Sequence, residues 1–131
     1  MDKQRINFAS GTQWASSVGY SRAVKVGNVI EVSGTVAADE NGVVMGEGDA
    51  YLQTKFILQK IETVLLLAGA TLHDVVRTRM FVTNISQWEA YGRAHGEVFA
   101  GIGPCTSMLE VKALIAPEYL IEIEATAIIT S

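Results

Sequence analysis

The sequence has a single cysteine, Cys105, so it cannot form an internal disulfide. This cysteine usage is typical of a reducing compartment, and we expect a cytoplasmic protein. No run of apolar residues approaches the ~18 that are needed to cross a membrane. Residues 1–5 are polar and are not followed by the apolar segment of a signal peptide. We therefore predict neither a membrane span nor a signal peptide.

Charged residues are also few, at 18% of the 131 residues, whereas about a quarter is usual in a small soluble domain. Since 49% of the residues are hydrophobic, apolar surface remains to be buried, and an oligomer is the simplest place for it. The formal net charge is −4 and no basic run exceeds two residues, which argues against nucleic acid as a partner. The length is that of one domain, which we assign to residues 1–131.

Sequence motifs for metals and cofactors are missing as well. No cysteine or histidine cluster has the spacing of metal ligands, and no glycine-rich phosphate-binding motif occurs. We therefore predict neither a metal nor a cofactor.

The hydrophobic periodicity predicts the element order β-β-β-α-β-α-β-β. Strand patterns occupy residues 5–8, 21–26, 29–35, 75–83, 104–111 and 120–128, and helical patterns occupy residues 50–68 and 87–100. Gly27-Asn28 is a two-residue hairpin signal, and Gly69 ends the first helix. This order favours an α+β fold in which two helices pack on one face of a mixed β-sheet. The opposite face is left open, and we expect sister chains to bury it.

Finer predictions concern the second helix and the strand before it. Ser86 is the predicted N-cap of the helix. The predicted buried stripe of the helix consists of Trp88, Tyr91, Val98 and Phe99. In the strand 75–83, the residues predicted to share one face are Val76, Met80 and Val82, with Arg77, Arg79 and Phe81 on the other.

The last strand pattern has two carboxylates on one face. Ile121, Ile123, Ala125 and Ala127 alternate with Glu122, Glu124, Thr126 and Ile128. A partly buried carboxylate has a raised pKa and can act as an acid or base near neutral pH. The alternative is that both glutamates are solvated residues of an outer face.

Three sequence blocks, taken together, have the form of a known signature. They are Gly19-Tyr20-Ser21-Arg22-Ala23-Val24 with Val32-Ser33-Gly34, then Ala68-Gly69-Ala70 with Asp74-Val75-Val76-Arg77-Thr78, then Pro104-x-Thr106-Ser107 with Glu110-Val111 and Ile121-Glu122-Ile123-Glu124-Ala125. In this order they resemble the reactive intermediate deaminase (Rid) family, also called YjgF-like or the L-PSP endoribonuclease family. The resemblance implies a chorismate-mutase-like fold, a homotrimeric barrel and small-molecule pockets at the subunit interfaces.

The resemblance also implies roles for individual residues. Deaminating members hydrolyse imines or enamines of 2-oxo acids, and Glu122 corresponds to their water-activating glutamate. Tyr20 corresponds to a pocket tyrosine, and Ser33-Gly34 to a turn whose backbone approaches the ligand. The alternatives are a buried tyrosine with a bonded hydroxyl and a β-bulge at Gly34.

Three family residues are replaced in this sequence. The arginine that holds the substrate carboxylate in deaminating members stands in a Pro-x-Arg-Ser motif, and this sequence has Thr106 there. A threonine hydroxyl carries no charge and cannot pair bidentately with a carboxylate. The helix-borne asparagine of the family falls at Gly92, and His95 stands where the family usually has tyrosine. The cations that could replace the arginine are Arg77, Arg79 and Arg93, with exposed surface roles as the alternative for each.

Cys105 precedes Thr106 and is expected at the mouth of the pocket. It is either inert packing or a nucleophile, and the second role needs a base such as His95 or His73 nearby.

These observations leave three functions open. The first is an imine or enamine deaminase-like hydrolase that acts on a small metabolite other than 2-iminopropionate. The alternative is a trimer that binds a small metabolite without catalysis. Ribonuclease activity is the least favoured, because RNA binding needs basic surface and the net charge is acidic.

Overall fold

The structure is a computed structural model that describes residues 4–12 and 14–130. Its strands are β1 (Arg5–Phe8), β2 (Ala23–Val26), β3 (Val29–Thr35), β4 (Val75–Val82), β5 (Cys105–Glu110) and β6 (Ile121–Ile128). Its long helices are α1 (Ala50–Leu67) and α2 (Trp88–Phe99). Short helical turns occupy Ala15–Gly19, Leu72–Asp74 and Ile85–Gln87. Within the described ranges, no helix is long and apolar enough to cross a membrane.

The six strands form one mixed sheet in the order β1-β2-β3-β6-β4-β5. All neighbours are antiparallel except β4 and β5, which are parallel. A parallel pair needs a crossover connection, and α2 provides it between β4 and β5. The strand with the two carboxylates, β6, therefore lies at the centre of the sheet, between β3 and β4.

Both helices cover one face of this sheet, as the sequence predicts. On β6 the residues at 121, 123, 125 and 127 are buried, and those at 122, 124, 126 and 128 are half-buried. The buried set packs with α1 residues such as Ile57 and Ile61 and with Tyr91 and Phe99 of α2. No described helix lies on the opposite face, which we call the open face. The predicted α+β architecture is confirmed.

The prediction for one residue of β4 is wrong. Val76 is 41% exposed, whereas Val75 is 3% exposed. The pairing of β4 with β6 shifts between Val75 and Arg77, which places an extra residue in β4. After the shift the side chains of Thr78, Met80 and Val82 face the helices.

The predicted start and buried stripe of the second helix also need correction. The N-cap position of α2 is Gln87, which makes no side-chain capping bond, and Asn84 caps the preceding turn Ile85–Gln87 by accepting a hydrogen bond from the Ser86 backbone N–H at 3.0 Å. The buried residues of α2 are Tyr91, Ala94, His95 and Phe99, and Trp88 is 56% exposed. The buried residues keep the three-to-four spacing of an amphipathic helix, but they include the small residue Ala94 and the polar residue His95.

Candidate active site

Glu122 lies on the open face of β6, and its carboxylate fills the space beside Gly34. A Cβ atom built on Gly34 would lie 2.0 Å from Oε2 and 2.9 Å from Cδ of Glu122. The backbone of Gly34 does not have the positive φ that favours glycine. Glycine at position 34 therefore leaves room for the carboxylate in its present position, and a side chain there would displace it.

Gly34 belongs to a β-bulge in β3. The pairing of β3 with β6 shifts between Val32 and Thr35, which leaves Ser33 and Gly34 outside the regular ladder. The Ser33 hydroxyl donates to the Ser21 carbonyl at 2.6 Å, and the Thr35 hydroxyl donates to the Ser33 carbonyl at 2.8 Å. These bonds fix the bulge, which is one of the two sequence interpretations of Gly34. The approach of a ligand to this turn stays a prediction.

The two carboxylates of β6 have different surroundings. Burial raises the pKa of the Glu122 carboxyl, and the negative charge of Glu124 raises it further. Glu124 pairs with Arg79, whose Nη1 lies 3.5 Å from Oε1. No ion pair joins Glu122 to any residue of the ranges 4–12 and 14–130. Glu122 is thus not a freely solvated residue of an outer face, and its environment suits a proton acceptor.

Tyr20 lies next to the bulge. It follows the helical turn Ala15–Gly19, and the next residue, Ser21, accepts the hydrogen bond from Ser33. The Tyr20 hydroxyl is 2.5 Å from the Thr12 hydroxyl. Tyr20 is half-buried with a bonded hydroxyl, which fits the structural alternative, and its role as a pocket residue stays a prediction.

Thr106, Thr78 and His95 form a continuous chain of hydrogen bonds. Thr78 Oγ1 donates to Thr106 Oγ1 at 2.7 Å and lies 2.8 Å from Nε2 of His95. Thr78 is fully buried and His95 is 8% exposed, whereas Thr106 is exposed on the edge strand β5. Burial lowers the pKa of His95, so its ring is neutral at neutral pH. The chain therefore connects a buried neutral imidazole to the surface.

Thr106 and Glu122 lie on opposite faces of the sheet. Thr106 is opposite the buried Thr78, so it is on the helix side, whereas Glu122 is opposite Phe81 on the open face. Residues on opposite faces of one sheet cannot enclose the same small ligand. A pocket that used both would have to take them from two chains.

Cys105 is exposed at the start of β5. It pairs with Arg77 of β4 and shares its face, so it points away from the helix side on which His95 is bonded. No described hydrogen bond joins Cys105 to His95 or His73, and a base for a nucleophilic role is missing from these contacts. In the described part of the chain, no group of three or more His, Cys, Asp or Glu side chains could hold a metal ion.

The three candidate cations are engaged differently. Arg79 pairs with Glu124, and the Arg93 guanidinium lies 4.5 Å from the centroid of the Tyr51 ring. Arg77 donates from Nη2 to the Ser107 hydroxyl at 3.2 Å. Its Nε is buried without a partner among the described residues. Of the three, Arg77 is the one whose guanidinium meets neither a carboxylate nor an aromatic ring in those residues.

Two cavities of the described chain lie away from these residues. A cavity of about 470 Å³ opens beside α1, with Leu52, Phe56, Leu72 and Val98 among its walls. Another of about 270 Å³ lies beside Pro117. Neither is lined by Tyr20, Glu122 or Thr106. A single chain therefore does not enclose the candidate residues in either cavity.

The family model described as endoribonuclease L-PSP matches residues 11–129 of this chain. The chain belongs to this family. The YjgF-family member Rv2704 from Mycobacterium tuberculosis has a similar fold, with a TM-score of 0.85, 48% identity, and coverage of 96% of this chain and 100% of that chain. The family resemblance and the fold class predicted from the sequence are both confirmed.

Two relatives of this L-PSP family member are similar in sequence. An uncharacterised protein of Streptomyces coelicolor, SCO2049, is 35% identical over 118 residues, which are 90% of this chain and 87% of the relative. The 3-aminoacrylate deaminase RutC of Acinetobacter baylyi is 34% identical over 108 residues, which are 82% of this chain and 85% of the relative. Both alignments cover most of each chain.

Thr78 is absent from the site residues predicted from the sequence. It alternates with Met80 and Val82, which places it on the buried face of β4. A buried hydroxyl needs a hydrogen-bond partner. That rule points to a polar neighbour for Thr78, but it does not say that the partners are His95 and Thr106.

Proposed function

We propose that this protein is an imine or enamine deaminase-like hydrolase that acts on a small metabolite. The observation that supports it is the Glu122 carboxylate, which is half-buried and lies in a space that Gly34 leaves free. The family contains a protein named as a 3-aminoacrylate deaminase, RutC of A. baylyi, which is 34% identical to this chain.

In the proposed reaction, water adds to the imine carbon and ammonia leaves, so that the C=N bond is replaced by C=O. Glu122 accepts a proton from the attacking water and returns a proton to the departing nitrogen. Because its pKa is raised, Glu122 binds and releases a proton nearer to neutral pH than an ordinary carboxylate does. Tyr20, Ser33 and Gly34 would line the pocket next to it.

We propose that the pocket forms between the subunits of a homotrimer. The open face has no helix on it, yet it includes half-buried Phe81 and Leu109, which is 47% exposed. Thr106, with His95 behind it, would join the pocket from a neighbouring chain, because Thr106 and Glu122 face opposite sides of one sheet, and Cys105 would lie at the mouth of that pocket. The number three comes from the family resemblance. Light scattering at micromolar concentration should give the mass of a trimer, and a monomer would contradict the interface pocket.

We do not expect 2-iminopropionate to be the substrate. Its carboxylate needs a cation, and position 106 offers a hydroxyl. Arg77 is the strongest remaining candidate for a cation, because no described carboxylate neutralises it. Efficient hydrolysis of 2-iminopropionate by the wild type would favour Arg77 in that role.

Specific observations also favour a second candidate, a trimer that binds a metabolite without catalysis. The family arginine and asparagine are both replaced, and the Tyr20 hydroxyl is already bonded to Thr12. The two functions differ in ammonia release. A panel of imines and enamines should be tested with the wild type and Glu122→Gln. Ammonia release by the wild type that disappears in Glu122→Gln supports the hydrolase. Ammonia release at the background rate in both proteins supports the binding protein.

A further inference from the structure

We infer that Thr106 is an oriented, uncharged hydrogen-bond donor that selects a neutral carbonyl oxygen in the ligand, with Thr78 and His95 as its positioning residues. The ligand class is therefore an amide or ester rather than a free carboxylate. This inference deepens the proposed function and rests on it for the position of the pocket. It depends on the direction of two hydrogen bonds.

The direction of the two hydrogen bonds at Thr78 follows from the number of protons on its hydroxyl and on the His95 ring. The Thr78 hydroxyl has one proton and donates it to Thr106 Oγ1 at 2.7 Å. The contact of Thr78 with His95 Nε2 at 2.8 Å must then be one in which Thr78 accepts. Nε2 of His95 therefore has a proton to donate. A neutral ring has a single N–H, so the other ring nitrogen, Nδ1, has none.

The consequence appears at the exposed end of the chain. The Thr106 oxygen accepts from Thr78, so its own proton is left for a partner outside the chain of three residues. Thr106 is exposed, and a ligand oxygen can reach it. The donor is held in place because Thr78 is buried and His95 packs against Phe99, with ring centroids 4.7 Å apart.

The charge around Thr106 decides between a carbonyl and a carboxylate. Arg77 and Arg79 of the same chain flank Thr78 in β4, so their side chains point to the opposite face of the sheet, and the proposed pocket brings the Glu122 carboxylate of the neighbouring chain to Thr106 instead. A hydroxyl and a neutral imidazole do not compensate the loss of water around a carboxylate, whereas an uncharged carbonyl loses much less. Thr78 and, behind it, His95 thus match a neutral acceptor at Thr106.

The test uses a pair of probes with the same carbon skeleton, acetoacetamide and acetoacetate. We expect the wild-type oligomer to bind the amide more tightly, as measured by isothermal titration calorimetry. Thr106→Val should weaken amide binding roughly 3- to 10-fold, the effect of one neutral hydrogen bond. Thr78→Val should have a similar effect, and Thr78→Ser should restore binding because it keeps the hydroxyl.

The ¹⁵N NMR signal of His95 distinguishes a positioning role from a purely structural one. Acetoacetamide should shift the His95 Nε2 resonance in the wild type and not in Thr106→Val, which lacks the hydroxyl that connects Thr78 to the ligand. That variant also keeps the test valid if Thr78→Val does not fold. Equal or tighter binding of acetoacetate, no difference between Thr78→Ser and Thr78→Val, or binding of neither probe would overturn the inference.

Hydrolysis is measured separately with 3-aminocrotonamide, which takes up water and yields acetoacetamide and ammonia. Selective amide binding without ammonia release supports the inference and contradicts the proposed hydrolase. Ammonia release without any preference for the amide supports the hydrolase and overturns the inference.

Discussion

The Glu122 carboxylate occupies the volume into which a side chain at position 34 would project. The clash at 2.0 Å involves Oε2, the end of a flexible side chain, and not the backbone. A larger residue at position 34 would therefore move the carboxylate more readily than it would unfold the sheet. Position 34 controls where the proposed proton acceptor lies.

Gly34→Ala should reduce hydrolysis about as much as Glu122→Gln does, on the order of 10²–10⁴-fold, the contribution of one general acid or base. Its free energy of unfolding should fall by only about 1 kcal/mol, because Glu122 can turn aside. Ammonia-release rates and urea unfolding measure the two effects.

The matched control is Gly96→Ala in α2, where a Cβ atom meets nothing within 4 Å. It should keep full activity and gain up to about 1 kcal/mol of stability, since alanine favours a helix. An undiminished rate in Gly34→Ala would show that catalysis does not depend on the position of the Glu122 carboxylate.

Glu124→Gln should lower the pKa of Glu122, because the charge of Glu124 is one of the two causes that raise it. Burial is the larger cause, so the pKa should stay above its ordinary value. Carboxyl ¹³C NMR titration measures the change. An unaltered titration of Glu122 would show that the two charges do not interact.

Glu122→Gln should become more stable relative to the wild type as the pH rises through the pKa of Glu122. The folded-state pKa lies above the unfolded one, so between them the folded wild type holds more protons. Its stability from this group is complete below the unfolded pKa and is lost as the pH rises. Urea unfolding of both proteins from acid to neutral pH tests the sign. Parallel curves would contradict the raised pKa.

Thr106→Arg should gain activity on 2-iminopropionate generated by a coupled amino-acid oxidase. A charge-assisted hydrogen bond contributes about 1.5–3 kcal/mol, so the wild-type deficit is roughly 10- to 100-fold and the variant should recover part of it. Recovery should be incomplete because Gly92 removes a further polar contact. Thr106→Met, of similar length and without charge, is the control. No gain in a folded trimer would favour the binding protein.

Lys60 ties α1 to the segment that follows the bulge, with Nζ donating to the carbonyls of Val36 at 3.0 Å and Ala38 at 2.7 Å. Burial, and then the charge of Arg22, lower its pKa from 10.5 to about 8. The unfolded state therefore binds more protons between these values, and wild-type stability from this group rises with pH. Relative to Lys60→Met, the wild type should gain stability from pH 8 to 10 in urea unfolding. A constant difference would contradict the lowered pKa.

The element order and the faces of β6 follow from local sequence, because side chains in a strand alternate with a period of two. The same rule misplaces Val76, since the extra residue in β4 depends on its pairing with β6. The contact between Gly34 and Glu122 depends likewise on the shifted pairing of β3 with β6. Local periodicity predicts which residues face the core, but not which of them meet across strands.

The central position of β6 has a consequence for the order of folding. β6 is the last strand in chain order, yet it alone joins the β1–β3 half of the sheet to the β4–β5 half. In a nascent chain that ends before residue 121, the strand groups β1–β3 and β4–β5 are not joined. The apolar face of α1 then lacks the part of the sheet that β6 provides. During synthesis the long-range pairings of β6 can form only after the rest of the sheet has been made, and such pairings make folding slow. Until they form, the incomplete halves expose strand edges, which makes this interval the one most open to aggregation and to chaperone binding.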